Sequence, residues 1–310
     1  MNTNVYRRAA EWYKTRFGGR VQKIAIDAGF SCPNRDGTLS TAGCTYCNND
    51  SFSPFYSNPV LSITEQLSAG AKFCQKRYQC QRFFAYFQSY SCTYAPLEIL
   101  KQKYAEASDF KGVEGLIIAT RPDCLTEEIV TLLQEISKKT YLRIELGVES
   151  FDDRVLAAVN RCHNAETAKN AIITMRKKGI DVSAHLIFGL PDESYDCAVT
   201  TAREIANSGA NFVKLHHLQI VKNSRLANII ATDPQSIKLH TINSYLDAVA
   251  AFITHLPDEV AIERLINRVP PDQLIAPVWN NIDESSFQRL LIEKLKKQNL
   301  YQGAKFSKDC

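Results

Sequence analysis

Short runs rich in β-branched and aromatic residues recur along the chain: Val21 to Asp27, Arg82 to Tyr90, Gly115 to Thr120, Tyr141 to Val148, Asp181 to Phe188 and Asn211 to Ile220. Each reads as a strand. Between them lie segments whose apolar residues return every three to four positions, the period of a half-buried helix. These are Ser62 to Tyr78, Pro96 to Ser108, a stretch from Leu125, Ala165 to Lys178 and Asp192 to Asn207. The boundaries carry helix punctuation. Pro96 suits a first turn, Thr126 to Glu128 forms a capped and acidic start, and Gly179 and Gly209 suit the left-handed residue after a helix end. A further apolar helix holds Ile242, Tyr245, Leu246, Val249 and Phe252, and Val260 to Ile266 follows as a seventh strand.

Strands that alternate with helices imply right-handed crossovers and a parallel sheet. Two architectures satisfy that rhythm: a barrel, and a doubly wound open sheet, because local pattern does not reveal strand order. Outside the alternation, Trp12, Tyr13, Arg16 and Phe17 predict a short aromatic helix ended by Gly18-Gly19. Phe287, Leu290, Leu291 and Leu295 place one apolar face on a terminal helix from Glu284 to Gln298. The expected division is an N-terminal helical extension over 1–20, a barrel over 21–266 and a C-terminal cap over 267–310.

Composition narrows the class without choosing a partner. Hydrophobic residues make up 45% and charged residues 23%, values of a globular chain. No run of about 18 apolar residues occurs, and no apolar segment follows Arg7 and Arg8, so neither a membrane span nor a secretory signal is expected. A cytoplasmic protein follows as the expectation. The net charge of +4 is too small to argue for or against nucleic acid.

Chemistry first shows in the strand Tyr141 to Glu149. Alternation turns Leu142, Ile144, Leu146 and Val148 to one face and Arg143, Glu145, Gly147 and Glu149 to the other. Barrel interiors are ordinarily filled by branched apolar residues, so a polar inner face suggests a substrate cavity. A buried Arg143–Glu145 pair that merely neutralises itself is the plain alternative. Arg121 with Asp123, and Lys214, His216 and Gln219, fall at the same rim. His216 and His217 are adjacent on a strand and point apart, which argues against a shared ion.

The strongest chemical signal follows the first strand, where Cys32, Cys44 and Cys47 stand as C-x11-C-x2-C in a loop rich in Gly, Pro and Asn. Four ligands complete a structural zinc site, whereas three thiolates on a [4Fe-4S] cube leave one iron open. Cys74, Cys80 and His163 are the next candidates for a fourth zinc ligand. A disulfide is disfavoured, since nothing marks the chain as secreted. The other cysteines, among them Cys92, Cys124, Cys162, Cys197 and Cys310, share no C-x2-C spacing, so no second cluster is expected.

The segment from Asp27 to Gly37, with Gly43-Cys44-Thr45-Tyr46-Cys47, resembles the YhcC-like subfamily of the radical S-adenosylmethionine (SAM) superfamily, related to the Elongator catalytic subunit and to coproporphyrinogen oxidase-like proteins. The resemblance runs over nearly the whole chain. It implies a partial (β/α)6 TIM-type barrel, a [4Fe-4S] cluster on Cys32, Cys44 and Cys47, and SAM chelated to the fourth iron. The reduced cluster would split SAM to methionine and a 5'-deoxyadenosyl radical that abstracts hydrogen from a substrate. Tyr46 occupies the aromatic position beside adenine. Glu145 to Ser150 resembles a strand end that contacts SAM, with Glu149 where relatives carry Gln. His185 to Pro191 matches a Gly-Leu-Pro turn, placing Gly189 near the adenine end. Gln88 and Ser89 stand where the superfamily carries a Gly-Gly-Glu-like motif for the methionine amino group. Asn160-Arg161-Cys162-His163 departs from the family's Asn-Arg-Gly-His by one residue.

The partners implied are a reductant such as flavodoxin or ferredoxin and a small molecule or tRNA as substrate. Relationship to Elongator suggests RNA, and relationship to the coproporphyrinogen enzymes suggests a small molecule, although Asn48 and Asn49 replace their extra nearby cysteine. Two functions of other classes stay open on sequence: a zinc-stabilised RNA-binding module and an iron-sulfur electron carrier.

Overall fold

A computed structural model describes residues 5–48, 54–194, 196–279 and 282–307. Asn49, Lys308 and Cys310 lie outside the described residues. Parallel strands β1 (Gln22–Ile26), β2 (Phe83–Phe87), β3 (Val113–Thr120), β4 (Tyr141–Glu149), β5 (Asp181–Phe188) and β6 (Phe212–His217) pair in sequence order. After a short strand β7 (Ile220–Val221), β8 (Ala261–Arg264) joins β6 to complete seven. An order without reversal excludes the doubly wound alternative, which needs a switch point. Lys23 on β1 and Glu263 on β8 form an ion pair although their strands are opposite edges of the sheet. The sheet is therefore curled into a partial barrel with a shared interior.

The crossovers are helical, as the periodicity requires. α1 (Ala9–Phe17) precedes β1; α2 (Ile63–Tyr78), α3 (Leu97–Ser108) and α4 (Glu127–Ser137) link β1 to β4. Ser62 and Glu65 cap α2 reciprocally, satisfying two end donors. Two helices lie between β4 and β5, the short α5 (Asp153–Ala158) and α6 (Ala165–Lys177). They are followed by α7 (Cys197–Ser208), α8 (Arg225–Thr232), α9 (Ile242–His255) and α10 (Glu284–Lys297). Leu142, Ile144, Leu146 and Val148 face this outer layer and are buried in the main core, as the alternation predicts.

The remaining differences from the sequence pattern are local. The helix expected from Asp192 begins at Cys197, because Asp192 sits at φ 63°, outside the helical region. The run to Ile220 is two strands, since Leu218 leaves the sheet to donate to the Phe188 carbonyl, and β7 pairs instead with β9 (Leu274–Ala276). α10 packs on α9, with Phe287, Leu291 and Leu295 fully buried.

α1 closes the end of the barrel where the strands begin. Its Trp12, Tyr13 and Phe17 meet Phe84, Tyr141 and Phe212 edge-on or tilted at ring distances of 4.9 to 5.8 Å. This aromatic floor leaves the opposite end, where the cysteine loop leaves β1, as the chemically rich one. Among the described residues no helix is long and apolar enough to cross a membrane.

Candidate active site

A cavity of about 760 Å³ opens at the C-terminal ends of the strands. Cys32, Cys44, Cys47, Tyr46, Gln88, Ser89 and Glu149 all line it, so residues scattered over more than a hundred positions converge on one volume. Arg121, Lys214, His216 and Gln219 line it too. Gly189 stands apart from that lining. Its φ is 88°, and a Cβ there would lie 2.8 Å from the His240 ring, so the glycine serves the turn after β5.

The cysteine loop is fixed from across the barrel by the segment after α5. Asn160 donates to the Gly43 carbonyl at 2.8 Å, Asn34 donates to the Asn160 carbonyl at 2.7 Å, and Thr45 N donates to the Val159 carbonyl at 3.0 Å. Nitrogen donors then reach the sulfur: Asn34 Nδ2 lies 3.4 Å and Arg161 Nη1 3.5 Å from Cys44 Sγ. Arg161 also donates to the Gly147 carbonyl at 2.5 Å and approaches Glu149 at 3.5 Å. A Cβ on residue 147 would fall 2.6 Å from the guanidinium and 2.8 Å from the Glu149 carboxylate, so this packing needs glycine.

Glu149 lines the cavity, on the face that alternation along β4 assigns it, and it sits at a break in register. Pairing runs Gly147 with His185 and then Glu149 with Leu186, so β4 carries a bulge, and Glu149 has φ 67°. Bulges re-aim side chains at strand ends, and a left-handed non-glycine residue costs about 1–3 kcal/mol. Burial alone would raise the Glu149 carboxyl, but His185, with Nδ1 2.9 Å away, and Arg161 hold it below the ordinary value of 4.5.

Deeper in the lumen is a second polar layer. Glu145 accepts from Tyr86 at 2.6 Å and Lys214 at 2.5 Å, and lies 3.4 Å from Lys23. Arg143 pairs with Glu263 at 3.2 Å, not with Glu145, so the self-neutralising pair does not form. Its guanidinium stacks 4.5 Å over the Phe212 ring in the aromatic floor. His216 turns inward, its ring 4.1 Å from that of His185, while His217 stacks on Trp279 at 4.0 Å. The two histidines point apart, as strand geometry demands.

Among the described residues no three His, Cys, Asp or Glu side chains gather closely enough to hold a single metal ion. Cys80 is engaged with the Arg20 and Arg82 carbonyls, and Cys74 sits near the C-terminal end of α2 beside it in sequence. Burial, with Cys44 and Cys32 adjacent, pushes the Cys47 thiol up to about 12, so thiolates there require a strong cationic partner. Asn34 Oδ1, Tyr46 OH, Arg121 Nη1 and Arg161 Nε are buried beside the loop with no hydrogen-bond partner. A cavity edge with three thiols, sulfur-directed N–H donors and spare polar atoms fits an anionic iron-sulfur cluster and a polar cofactor.

The family model of the radical SAM superfamily matches residues 32–205, more than half the chain. The chain belongs to the radical SAM superfamily. The radical SAM C-terminal domain matches 210–297. Among its relatives, YtqA of Bacillus subtilis is 30% identical over 95% of this chain and 91% of its own length, and YhcC of Escherichia coli K12 is 34% identical over 85% and 84%. The solved structure of Elp3 from Methanocaldococcus infernus, lacking residues 1–46, superposes with a TM-score of 0.69 at 16% identity, over 91% of this chain and 64% of that one. This last likeness is one of fold. The partial barrel seen here is the architecture of the radical SAM proteins.

Sequence reasoning quoted Asn34 and Arg161 without giving them roles and passed over Lys23, Glu263 and Arg264. Lys23 in β1 and Glu263 in β8 are charged residues set beside apolar strand positions, which is the signal that marked β4.

Proposed function

We propose that this chain is a radical SAM enzyme in which Cys32, Cys44 and Cys47 hold a [4Fe-4S] cluster and Tyr46, Gln88, Ser89 and Glu149 hold SAM beside it. The convergence of the three thiols with four SAM candidates on one cavity supports this reading best. Bound there, the cluster would supply the electron that cleaves SAM to a 5'-deoxyadenosyl radical able to abstract hydrogen, with flavodoxin or ferredoxin as reductant. The protein's share is positional. Arg161 and Asn34 donate toward Cys44, Glu149 presents an acceptor held by His185, and the aromatic floor seals the far end against water. Anaerobic reconstitution followed by assay of deoxyadenosine tests the reading; a protein that takes up iron and reductant yet never cleaves SAM would be an electron carrier instead.

Glu149→Ala should keep the cluster while weakening SAM binding by roughly 10- to 100-fold, the range of one lost charge-assisted hydrogen bond. Calorimetric titration with SAM and iron content on the same preparation separate the two effects. Unchanged affinity removes Glu149 from the cofactor site. Alanine leaves the backbone strain of the bulge in place, so the substitution reports the side chain.

Among the substrates suggested, a small molecule is favoured over RNA. The basic edge of α10 is partly neutralised, because Lys294 pairs with Asp247 at 2.5 Å, and the helix turns its apolar face inward. Lys296, Lys297 and Lys305 are exposed, and Lys308 lies outside the described residues. Little tRNA binding is expected at physiological salt in a gel-shift series. Tight binding that weakens steeply with salt, and is lost when all five lysines are replaced, would make RNA modification the leading function.

A further inference from the structure

The inner polar layer does not balance. Among the described residues, the carboxylates that Lys23, Arg143 and Lys214 pair with are Glu145 and Glu263, so with Arg264 four cations meet two carboxylates and two positive charges remain. Burying net charge is costly unless a counter-charge accompanies it. Three of the cations are accounted for by these ion pairs. Arg264 has no carboxylate partner among the described residues; it donates to His216, and its Nε is buried with no hydrogen-bond partner. His216 cannot supply the missing charge, because burial and Arg264 push its imidazole well below its ordinary value and keep it neutral.

We infer that the lumen binds an anionic group of the substrate, a carboxylate or a phosphate, on Arg264 with Lys214 beside it. The inference rests on reading this cavity as the radical SAM active site and names the class of molecule that enters it. A guanidinium whose Nε–H has no protein partner suits either anion through a charged hydrogen bond, and Lys214 adds a point charge. Lys214 feels the same surplus: burial, with Arg264 and Lys23 repelling it, lowers its amine to about 8 despite Glu145. The group is placed apart from the proposed SAM residues. Glu149, His185, His216 and Arg264 form a line of contacts across the lumen, with the SAM candidate at one end and the open guanidinium at the other.

The test uses the cluster-loaded protein and two probes, inorganic phosphate and malonate, against sodium chloride at matched ionic strength. Binding to the folded state raises the melting midpoint with concentration, which yields an apparent affinity. At least one probe should stabilise the native chain beyond chloride, and Arg264→Gln should weaken that affinity by about tenfold or more, the loss expected of a charged hydrogen-bond pair. Preference for phosphate marks a phosphorylated substrate, and preference for malonate marks a carboxylate; both support the site. Arg203→Gln, on the exposed side of α7, should respond like the native chain. Arg264→Lys keeps the charge without the fork and carries the test if the glutamine variant does not fold; it should bind the preferred probe more weakly than the native chain. Equal effects of chloride and both probes overturn the proposal. So does an Arg264→Gln protein that responds as the native one, or a response lost only in Arg268→Gln at the cavity mouth. No step of this test depends on SAM cleavage. A chain that holds cluster and cleaves SAM but ignores both anions loses this inference alone, and one that binds anions through Arg264 but holds no cluster loses the earlier reading alone.

Discussion

Cys44→Ala protein, reconstituted anaerobically, should lose the visible iron-sulfur absorbance, while the native chain takes up about four irons. Cys44 is held by donors from two sides of the loop. Asn34 and Arg161 both point N–H groups at its sulfur, and Arg161 is itself held by the Gly147 carbonyl and by Glu149. Removing the sulfur deprives the cube of one iron ligand and takes from Arg161 Nη1 and Asn34 Nδ2 the acceptor they share, while Asn34 keeps the Asn160 carbonyl. Cys32→Ala and Cys47→Ala should behave alike. Cys74→Ala and Cys80→Ala should keep the iron. A Cys44→Ala protein that retained a full cluster and still cleaved SAM would remove the triad from the site. A full complement of zinc without sulfide in the native protein would favour the structural-metal alternative.

Glu263→Gln should destabilise the fold by about 3–5 kcal/mol, the usual cost of leaving a buried charge unpaired. Arg143 is fully buried and among the described residues pairs with Glu263 alone, and Lys23 pairs with the same group. The stacking of Arg143 over Phe212 is worth about 0.5–2 kcal/mol and cannot take over that role. A fall in the urea midpoint at constant slope measures the loss; a change below about 1 kcal/mol would show that the aromatic floor alone holds the guanidinium. The same residue sets a pH dependence. Burial would raise Glu263, but Arg143 and Lys23 lower it from 4.5 to about 2. A carboxylate depressed in the folded state contributes stability above its unfolded value and loses it as protons bind. The native chain should therefore lose stability between about pH 4.5 and 2, and Glu263→Gln should flatten that slope.

How far the site could be read in advance depended on the range of the interactions involved. Strand and helix periods are local properties, so Val21 to Asp27 and Tyr141 to Val148 declared themselves, as did the helix ends at Gly179 and Gly209. The cysteine spacing is also local, and it drew attention to the end of the first strand, where the cavity opens. Alternation along β4 was enough to turn Arg143, Glu145 and Gly147 inward. The short helices α5 and α8 gave no comparable signal, because six and eight residues hold too few turns for a periodic face.

Partners were another matter. Arg143 meets a carboxylate 120 positions away, and Arg161 meets a sulfur 117 positions away, both through the curl that brings distant strands around one interior. Glu149 sits at a bulge whose presence depends on its register with β5, not on the identity of its neighbours in sequence. The chain by itself determined the alternation of the main strands and helices, the parallel pairing that such crossovers imply and the polar character of the inner face of β4. Only the tertiary structure decided which charges neutralise one another and that Arg264 has no carboxylate partner among the described residues. Side-chain partners are set by barrel curvature and register, and these arise from packing over the whole chain.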